Sequence, residues 1–250
     1  MNPSFLAQAN LQALSKNSYP GRGLVCGITE NDKHAVQVVW IMGRGKDSRN
    51  RFYNHDGRGR VYTEAADPSQ MKDPSLIIYN AMNERNGSLF VASNGEQTDL
   101  VIEEHDDDNL DSLPNLLAGD YSYEPDKPNY TPRITAVLRL HGPTSNDAML
   151  EILAIKKSVL GESAELHNFE YSPLYPGFGH CITTYNGDGN PLPSFTGEPY
   201  PLPFSGDGNE IAQYLWAALN PENRVGIAVK TIELATGQSE LHIINQYAKK

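Results

Sequence analysis

Ser75-Leu76-Ile77-Ile78-Tyr79-Asn80 and Ser88-Leu89-Phe90-Val91-Ala92-Ser93-Asn94-Gly95 are two apolar runs that each end in polar side chains. Each has the length and composition of a buried strand. The first stops at Tyr79-Asn80 and the second at Ser93-Asn94. Strand ends carrying Tyr, Asn and Ser can hold a polar ligand. The same residues also read as hairpin punctuation, because Asn-Gly is a strong turn signal. Two buried strands of this kind predict a sheet-rich protein, and similar patterns lie on both sides of them.

Upstream, residues 24–28 and 34–42 are apolar strands, and Glu30-Asn31-Asp32-Lys33 between them reads as a hairpin turn. Val61-Tyr62 extends the sheet. Downstream, residues 133–141 alternate Ile134, Ala136, Leu138 and Leu140 with Thr135, Val137 and Arg139, and 150–158, 180–185, 224–232 and 241–247 are further strands. Helices are few. One is expected from Asn2 to about Ser15, with Pro3 near its first turn and Phe5, Leu6, Ala9 and Leu14 on or near one face. Residues 97–105 suit a second, with Leu100, Val101 and His105 inward, and 115–121 a loop or short helix. Asp207 and Glu210 form a capping-box pattern ahead of a stripe of Ile211, Tyr214, Leu215, Ala218 and Leu219. Residues 124–133 hold three prolines and must be extended, while 186–208 is a long loop dense in Gly and Pro. No fixed-period repeat is present. The expectation is an α+β domain spanning 1–250, with a helical extension at 1–18 and a core over about 19–247. Its two mainly antiparallel sheets pack face to face with helices outside.

Composition excludes several classes. The 250 residues are 39% hydrophobic and 20% charged, as in ordinary soluble proteins. No run of 18 or more apolar residues suggests a membrane span, and residues 1–16 lack the basic start and apolar centre of a secretory signal. Cys26 and Cys181 each sit in an apolar run, which suits free thiols and a cytoplasmic location. The net charge of −11 argues against a nucleic-acid partner. Its distribution is uneven: residues 96–126 hold eleven acidic side chains and no Lys or Arg, and Asp106 to Asp111 read as a solvated acidic loop rather than a calcium loop.

Six of the ten arginines (Arg22, Arg44, Arg49, Arg51, Arg58 and Arg60) fall between residues 22 and 60. An acidic chain that concentrates arginine this way can build a local anion site, because the guanidinium fork donates paired hydrogen bonds to phosphate. Arg58-Gly59-Arg60 also reads as a plain solvated loop. Gly43-Arg44-Gly45-Lys46 resembles a phosphate loop only superficially, since the Gly-Lys-Ser/Thr ending is missing. The seven histidines are scattered, and no His/Cys cluster has zinc spacing. There is no Gly-x-Ser-x-Gly elbow and no dinucleotide fingerprint in context. Cys26, between Val25 and Gly27 in mid-strand, reads as core rather than nucleophile. What remains is Arg, Asn, Tyr and Glu at loop and strand ends, a set suited to a phosphorylated polar molecule with no metal and no cofactor.

The ordered set Tyr19-Pro20-Gly21-Arg22, Gly43-Arg44, Ser48-Arg49-Asn50-Arg51, Tyr79-Asn80, Ser93-Asn94-Gly95, Tyr123-Glu124 and Thr131-Pro132-Arg133-Ile134, with Thr183-Thr184-Tyr185 as a weaker piece, resembles the archaeal-type IMP cyclohydrolase family. The resemblance covers most of the chain from about residue 19. It implies a four-layer αββα sandwich similar to the N-terminal nucleophile hydrolase fold, without a freed N-terminal nucleophile. It also implies closure of 5-formamidoimidazole-4-carboxamide ribotide to IMP with loss of water, in purine nucleotide biosynthesis. The N-terminal helix, the acidic loop and the Gly/Pro-rich loop are additions to the family pattern.

In that reaction the carboxamide nitrogen attacks the formyl carbon, so positioning supplies much of the rate. An oxyanion develops on the former formyl oxygen and needs fixed donors. The resemblance nominates Arg51, Tyr79 and Glu124 as catalytic, with Glu124 in proton transfer. A loop ion pair from Glu124 to Arg133 or Lys127 is the structural alternative. It nominates Arg22, Arg44, Asn50, Asn80, Asn94, Arg133, Thr183 and Tyr185 for substrate binding. The partner implied is a small phosphorylated imidazole ribotide, and a homo-oligomer is left open. A non-catalytic purine-nucleotide sensor, or an amide hydrolase for a related substrate, would use the same pocket. The discriminating feature is whether Arg51, Tyr79 and Glu124 converge.

Overall fold

A computed structural model describes residues 2–71, 73–104 and 112–249. The chain begins with α1 (Pro3–Lys16), β1 (Gly23–Ile28), β2 (His34–Met42), the single turn α2 (Lys46–Arg49), β3 (Phe52–His55) and β4 (Val61–Glu64). It continues through β5 (Asn80–Arg85), β6 (Leu89–Ser93), α3 (Gln97–Glu104), α4 (Leu113–Leu117), β7 (Arg133–Leu140), β8 (Ala148–Lys157) and β9 (Ala164–Tyr171). The last elements are β10 (Phe178–Thr183), β11 (Tyr200–Pro203), α5 (Gly208–Ala218), β12 (Arg224–Glu233) and β13 (Ser239–Asn245). Six strands form one sheet in the order β11-β10-β1-β2-β12-β13, and seven form the other in the order β3-β4-β5-β6-β7-β8-β9. The paired strands within both sheets are antiparallel.

Period-two alternation explains the layering. Leu24, Cys26 and Ile28 of β1 point into the same core as Phe90 and Ala92 of β6 and as Ile134, Ala136 and Leu138 of β7, so this core lies between the sheets. The opposite face of β1 and β2 (Val25, Val36, Val38, Trp40) packs under Leu14 of α1 and under Ile211 and Leu215 of α5. On the far side, Leu89, Val91, Val137 and Leu153 pack under Val101 of α3 and Leu113 and Leu117 of α4. Helices therefore cover both outer faces, which explains why β7 is buried at every position although its sequence alternates. The capping box of α5 is formed, with Glu210 N donating to Asp207 Oδ1 at 2.8 Å and Asp207 N to Glu210 Oε2 at 2.9 Å.

Ionisable side chains also enter the inter-sheet region. Lys230 is fully buried, and its Nζ donates to Glu84 Oε2 at 2.6 Å, linking β12 of one sheet to β5 of the other. Ser239 Oγ donates to the same carboxylate. Burial lowers the Lys230 pKa, and the Glu84 charge opposes that. His180 of β10 stacks on Tyr171 of β9 with ring centroids 3.7 Å apart.

The structure corrects several sequence expectations. Residues 75–80 are not a strand: Ser75 N donates to Asp73 Oδ1, Ile77 N and Ile78 N donate to Pro74 O, and the chain turns until β5 starts at Asn80. The Asp73-Pro74-Ser75 turn chemistry overrides the apolar run. Asn94-Gly95 is not a hairpin turn but leads from β6 into α3. The β5–β6 hairpin turns at Asn86-Gly87, both at positive φ. A short helix, α2, follows the Gly43-Arg44-Gly45 loop. Four strands were missed, the first being β5, which begins where the expected strand over 75–80 ends. β3 runs on from the arginine-rich stretch. β9 is an edge strand of alternating, half-exposed residues. β11 lies inside the Gly/Pro-rich loop, where Pro201 and Pro203 are tolerated because it too is an edge. In α3, Val101 faces inward and Leu100 packs beside it. His105 and the acidic run from Asp106 to Asp111 lie outside the described residues.

Candidate active site

Antiparallel pairing gathers functional side chains at one end of the sandwich. Gly23 pairs with both Trp40 and Thr183, so the start of β1 sits beside the ends of β2 and β10. Arg22, Arg44 and Tyr185 follow from that register. The start of β3 brings Arg51, and the segment before β7 brings Glu124 and Thr131 from the other sheet. Together they line a cleft of about 370 Å³ whose apolar wall includes Met42, Leu76, Ile77 and Leu192. Gly21 makes the approach feasible: it has φ +74°, and a Cβ there would lie 2.2 Å from Thr184 Oγ1.

The three cleft arginines differ sharply in their partners. Arg22 is 8% exposed, and its Nη2 donates to Glu124 Oε2 at 2.6 Å while its Nη1 donates to the Asn94 carbonyl at 2.9 Å. Burial disfavours the Arg22 charge, but Glu124, with Tyr79 and Tyr185, more than offsets it and the pKa is raised. Arg44 is half-exposed at the rim, where it pairs with Asp188, donates to Gly189 O at 3.0 Å, and lies 4.9 Å over the Tyr19 ring. Arg51 is only 4% exposed, and its Nε donates to Ser48 O at 3.1 Å. Its buried Nη1 has no hydrogen-bond partner among the described residues. Burial, reinforced by the Arg22 cation and opposed by Tyr79, lowers the Arg51 pKa. A buried guanidinium without a counter-ion is costly, and it points to an anion or oxyanion as the missing partner.

Tyr79 is 6% exposed and close enough to Arg22 and Arg51 for their charges to interact. Arg51 and Glu124 both line the cleft, whereas Tyr79 is buried behind it and is not among the lining residues, so the three nominated residues converge only in part. Tyr19 and Tyr185, with ring centroids 6.1 Å apart, wall another side. Burial raises the pKa of both phenols, so both are neutral.

Other nominated residues are engaged elsewhere. Asn50 bridges the Asp67 backbone, its Nδ2 donating to Asp67 O and its Oδ1 accepting from Asp67 N. Asn80 donates to Asp99 Oδ1. Asn94 staples β6 to β7, accepting from Ile134 N and donating to Pro132 O. Arg133 donates to Gln97, Glu96 and the Ser122 carbonyl and covers the Tyr121 ring. In place of the alternative ion pair from Glu124 to Arg133 or Lys127, Glu124 pairs with Arg22. Thr183 lies in an adjoining groove of about 770 Å³ that shares Tyr185 and Asp188 with the rim. Cys26 and Cys181 are both fully buried, and burial raises their thiol pKa values, that of Cys181 to about 12. Sequence reasoning missed Tyr19, Asp126, Asn129, Thr131 and Leu192 as cleft residues. Tyr19 and Thr131 carried a signal, since each opens or closes a quoted motif, whereas Leu192 arrives only because the Gly/Pro-rich loop folds back, its N–H donating to Asn129 Oδ1.

Among the described residues, no group of three or more His, Cys, Asp or Glu side chains is placed to hold a metal ion. No helix among them is long and apolar enough to cross a membrane. A family model described as IMP cyclohydrolase-like protein matches residues 19–237. No curated protein matches the chain.

Proposed function

This chain belongs to the IMP cyclohydrolase-like family, and on that footing we propose that it closes the formylated carboxamide ribotide to IMP in the cleft around Arg51. The observation that carries the proposal is the buried Arg51 guanidinium, whose Nη1 lacks a partner beside the Arg22–Glu124 pair. A donor held ready at a dry site is what a developing oxyanion requires. Arg51 receives the former formyl oxygen as the carboxamide nitrogen attacks. Tyr79 supports that charge from behind. Arg44, half-exposed and exchangeable, leaves Asp188 to take the phosphate at the rim.

Ring closure must end in loss of water. After attack, the formamido N–H bond breaks as the ring C=N bond forms and hydroxide departs. Glu124 serves this step by taking the formamido proton and delivering it to the departing oxygen. Arg22 fixes the carboxylate for that transfer at 2.6 Å. The layering of two antiparallel sheets between helices suits the N-terminal nucleophile hydrolase type of architecture, and the cytoplasm suits two free buried thiols.

The test is spectrophotometric. Purified protein mixed with the formylated ribotide is to show the absorbance change of ring closure, at a rate proportional to enzyme. Wild-type protein that binds the ribotide and forms no IMP refutes ring closure and leaves a purine-nucleotide binder.

A further inference from the structure

Three cleft side chains form a hydrogen-bonded chain that the steps above do not use. Thr131 Oγ1 donates to Asp126 Oδ2 at 2.5 Å, and Thr131 N donates to Asp126 Oδ1 at 2.7 Å. The same Thr131 oxygen is in short contact with the Tyr185 hydroxyl. Tyr185 is 5% exposed and Thr131 2%, while Asp126 is half-buried and reaches solvent.

A hydroxyl has one proton to give. That of Thr131 goes to Asp126, so Tyr185 must be the donor in the Tyr185–Thr131 bond. Its proton is turned away from the cleft, and its oxygen offers a ligand lone pairs only. The chain is thus polarised to receive a proton from the cleft and pass it outward. Glu124 lacks such a path, being 2% exposed and held by Arg22.

We infer that Tyr185, Thr131 and Asp126 are the proton relay that takes the first proton from the carboxamide nitrogen, with Tyr185 as the catalytic residue and Thr131 and Asp126 positioning and draining it. As the carboxamide nitrogen bonds to the formyl carbon, its N–H bond breaks and the proton goes to the Tyr185 oxygen. The Tyr185 proton moves to Thr131 Oγ1, and the Thr131 proton moves to Asp126 Oδ2. The formyl π pair becomes the oxyanion held by Arg51. The relay then runs backward, protonating that oxygen and restoring the Asp126 carboxylate. The proton count closes without any co-reactant. This inference rests on the ring-closing function proposed above.

The experiment compares Thr131→Val, which keeps the shape and loses the hydroxyl, with Thr131→Ser, which keeps the hydroxyl. Thr131→Val is expected to lower kcat by ~10-fold or more, given that positioned acid–base groups contribute on the order of 100-fold and upward. KM should stay within about 3-fold, since binding is not its role. Thr131→Ser should retain most of the activity. In mixtures of H2O and D2O, kcat should fall along a curve for wild type, as several protons move together, and along a straight line for Thr131→Val. Active wild type with an equally active Thr131→Val overturns the relay and leaves ring closure standing. Loss in Thr131→Ser equal to that in Thr131→Val likewise overturns it, since shape and not the hydroxyl would then matter. Wild type without turnover overturns both the relay and the ring-closing function.

Discussion

Replacing Arg51 by Met should make the protein more stable and a worse binder. The side chain is 4% exposed and, among the described residues, has no ion pair and leaves Nη1 without a partner. An unsatisfied buried donor costs about 1–3 kcal/mol, and methionine fills similar space without that cost. The substitution also loses the Arg51 Nε bond to Ser48 O, worth about 1 kcal/mol. The net gain is about 1 kcal/mol, or roughly 2–4 °C in Tm for a chain of this size. If Arg51 meets the ligand, its loss should weaken IMP binding by about 1.5–3 kcal/mol, the range for hydrogen bonds to charged groups. Differential scanning calorimetry reads both effects. At IMP about 100 times the wild-type Kd, ligand stabilises wild type by about 2.7 kcal/mol. With Kd raised ~30-fold, the same IMP stabilises the variant by only about 0.9 kcal/mol. A variant that is less stable without ligand, yet shows the full IMP-induced shift, would refute the reasoning.

Glu124→Gln keeps the shape of the Arg22 partner but cannot shuttle a proton, so turnover should fall by about 100-fold or more in the absorbance assay, with circular dichroism unchanged. Full activity in that variant would move the proton-transfer role elsewhere. Lys230→Met should cost about 3 kcal/mol by urea denaturation, because it strands the Glu84 carboxylate between the sheets, and adding Glu84→Leu should recover much of the loss. An unchanged urea midpoint in Lys230→Met would contradict this. Burial holds the His180 pKa down at about 4 from an ordinary 6.5. The folded protein therefore resists a proton that the unfolded chain accepts, so stability is full above pH 6.5 and is lost as pH falls from 6.5 toward 4. Between pH 7 and pH 5 the loss should be about 1–2 kcal/mol, and His180→Phe should remove that part. Equal acid sensitivity in wild type and His180→Phe rules the residue out as the cause.

The strands of the sandwich core were legible because their side chains obey strict alternation or unbroken burial, as in residues 34–42. Three features were not. Residues 75–80 looked like a strand, but Asp73-Pro74-Ser75 commits them to a turn, and Leu76 and Ile77 become cleft wall. β9 and β11 are edge strands whose residues answer to one neighbour only, so their pattern is weak. At the site, Arg22, Arg44 and Arg51 line one cleft, while Arg49, Arg58 and Arg60 of the same arginine-rich stretch do not. Asn50, Asn80, Asn94 and Arg133 belonged to the same motifs, yet their hydrogen bonds tie loops to strands. A motif marks a place in the chain, while only the fold decides which side chains face the opening and which brace it from behind. The Tyr185–Thr131–Asp126 chain was invisible for that reason, as it joins segments 54 residues apart.

The cleft side chains sit mainly on the loops and strand ends at one end of the sandwich, while the strands between them carry the packing. This separation has an evolutionary consequence. Changes at Arg44, Asp188 or Leu192 reshape the opening without touching a ladder hydrogen bond, so the mouth of the cleft can drift while the frame stays fixed. Arg22 and Glu124 have no such freedom, because they are at once part of the opening and buried partners of each other. Lineages that exchange one of this pair must exchange the other, and the pair should be the slowest-changing feature of the site.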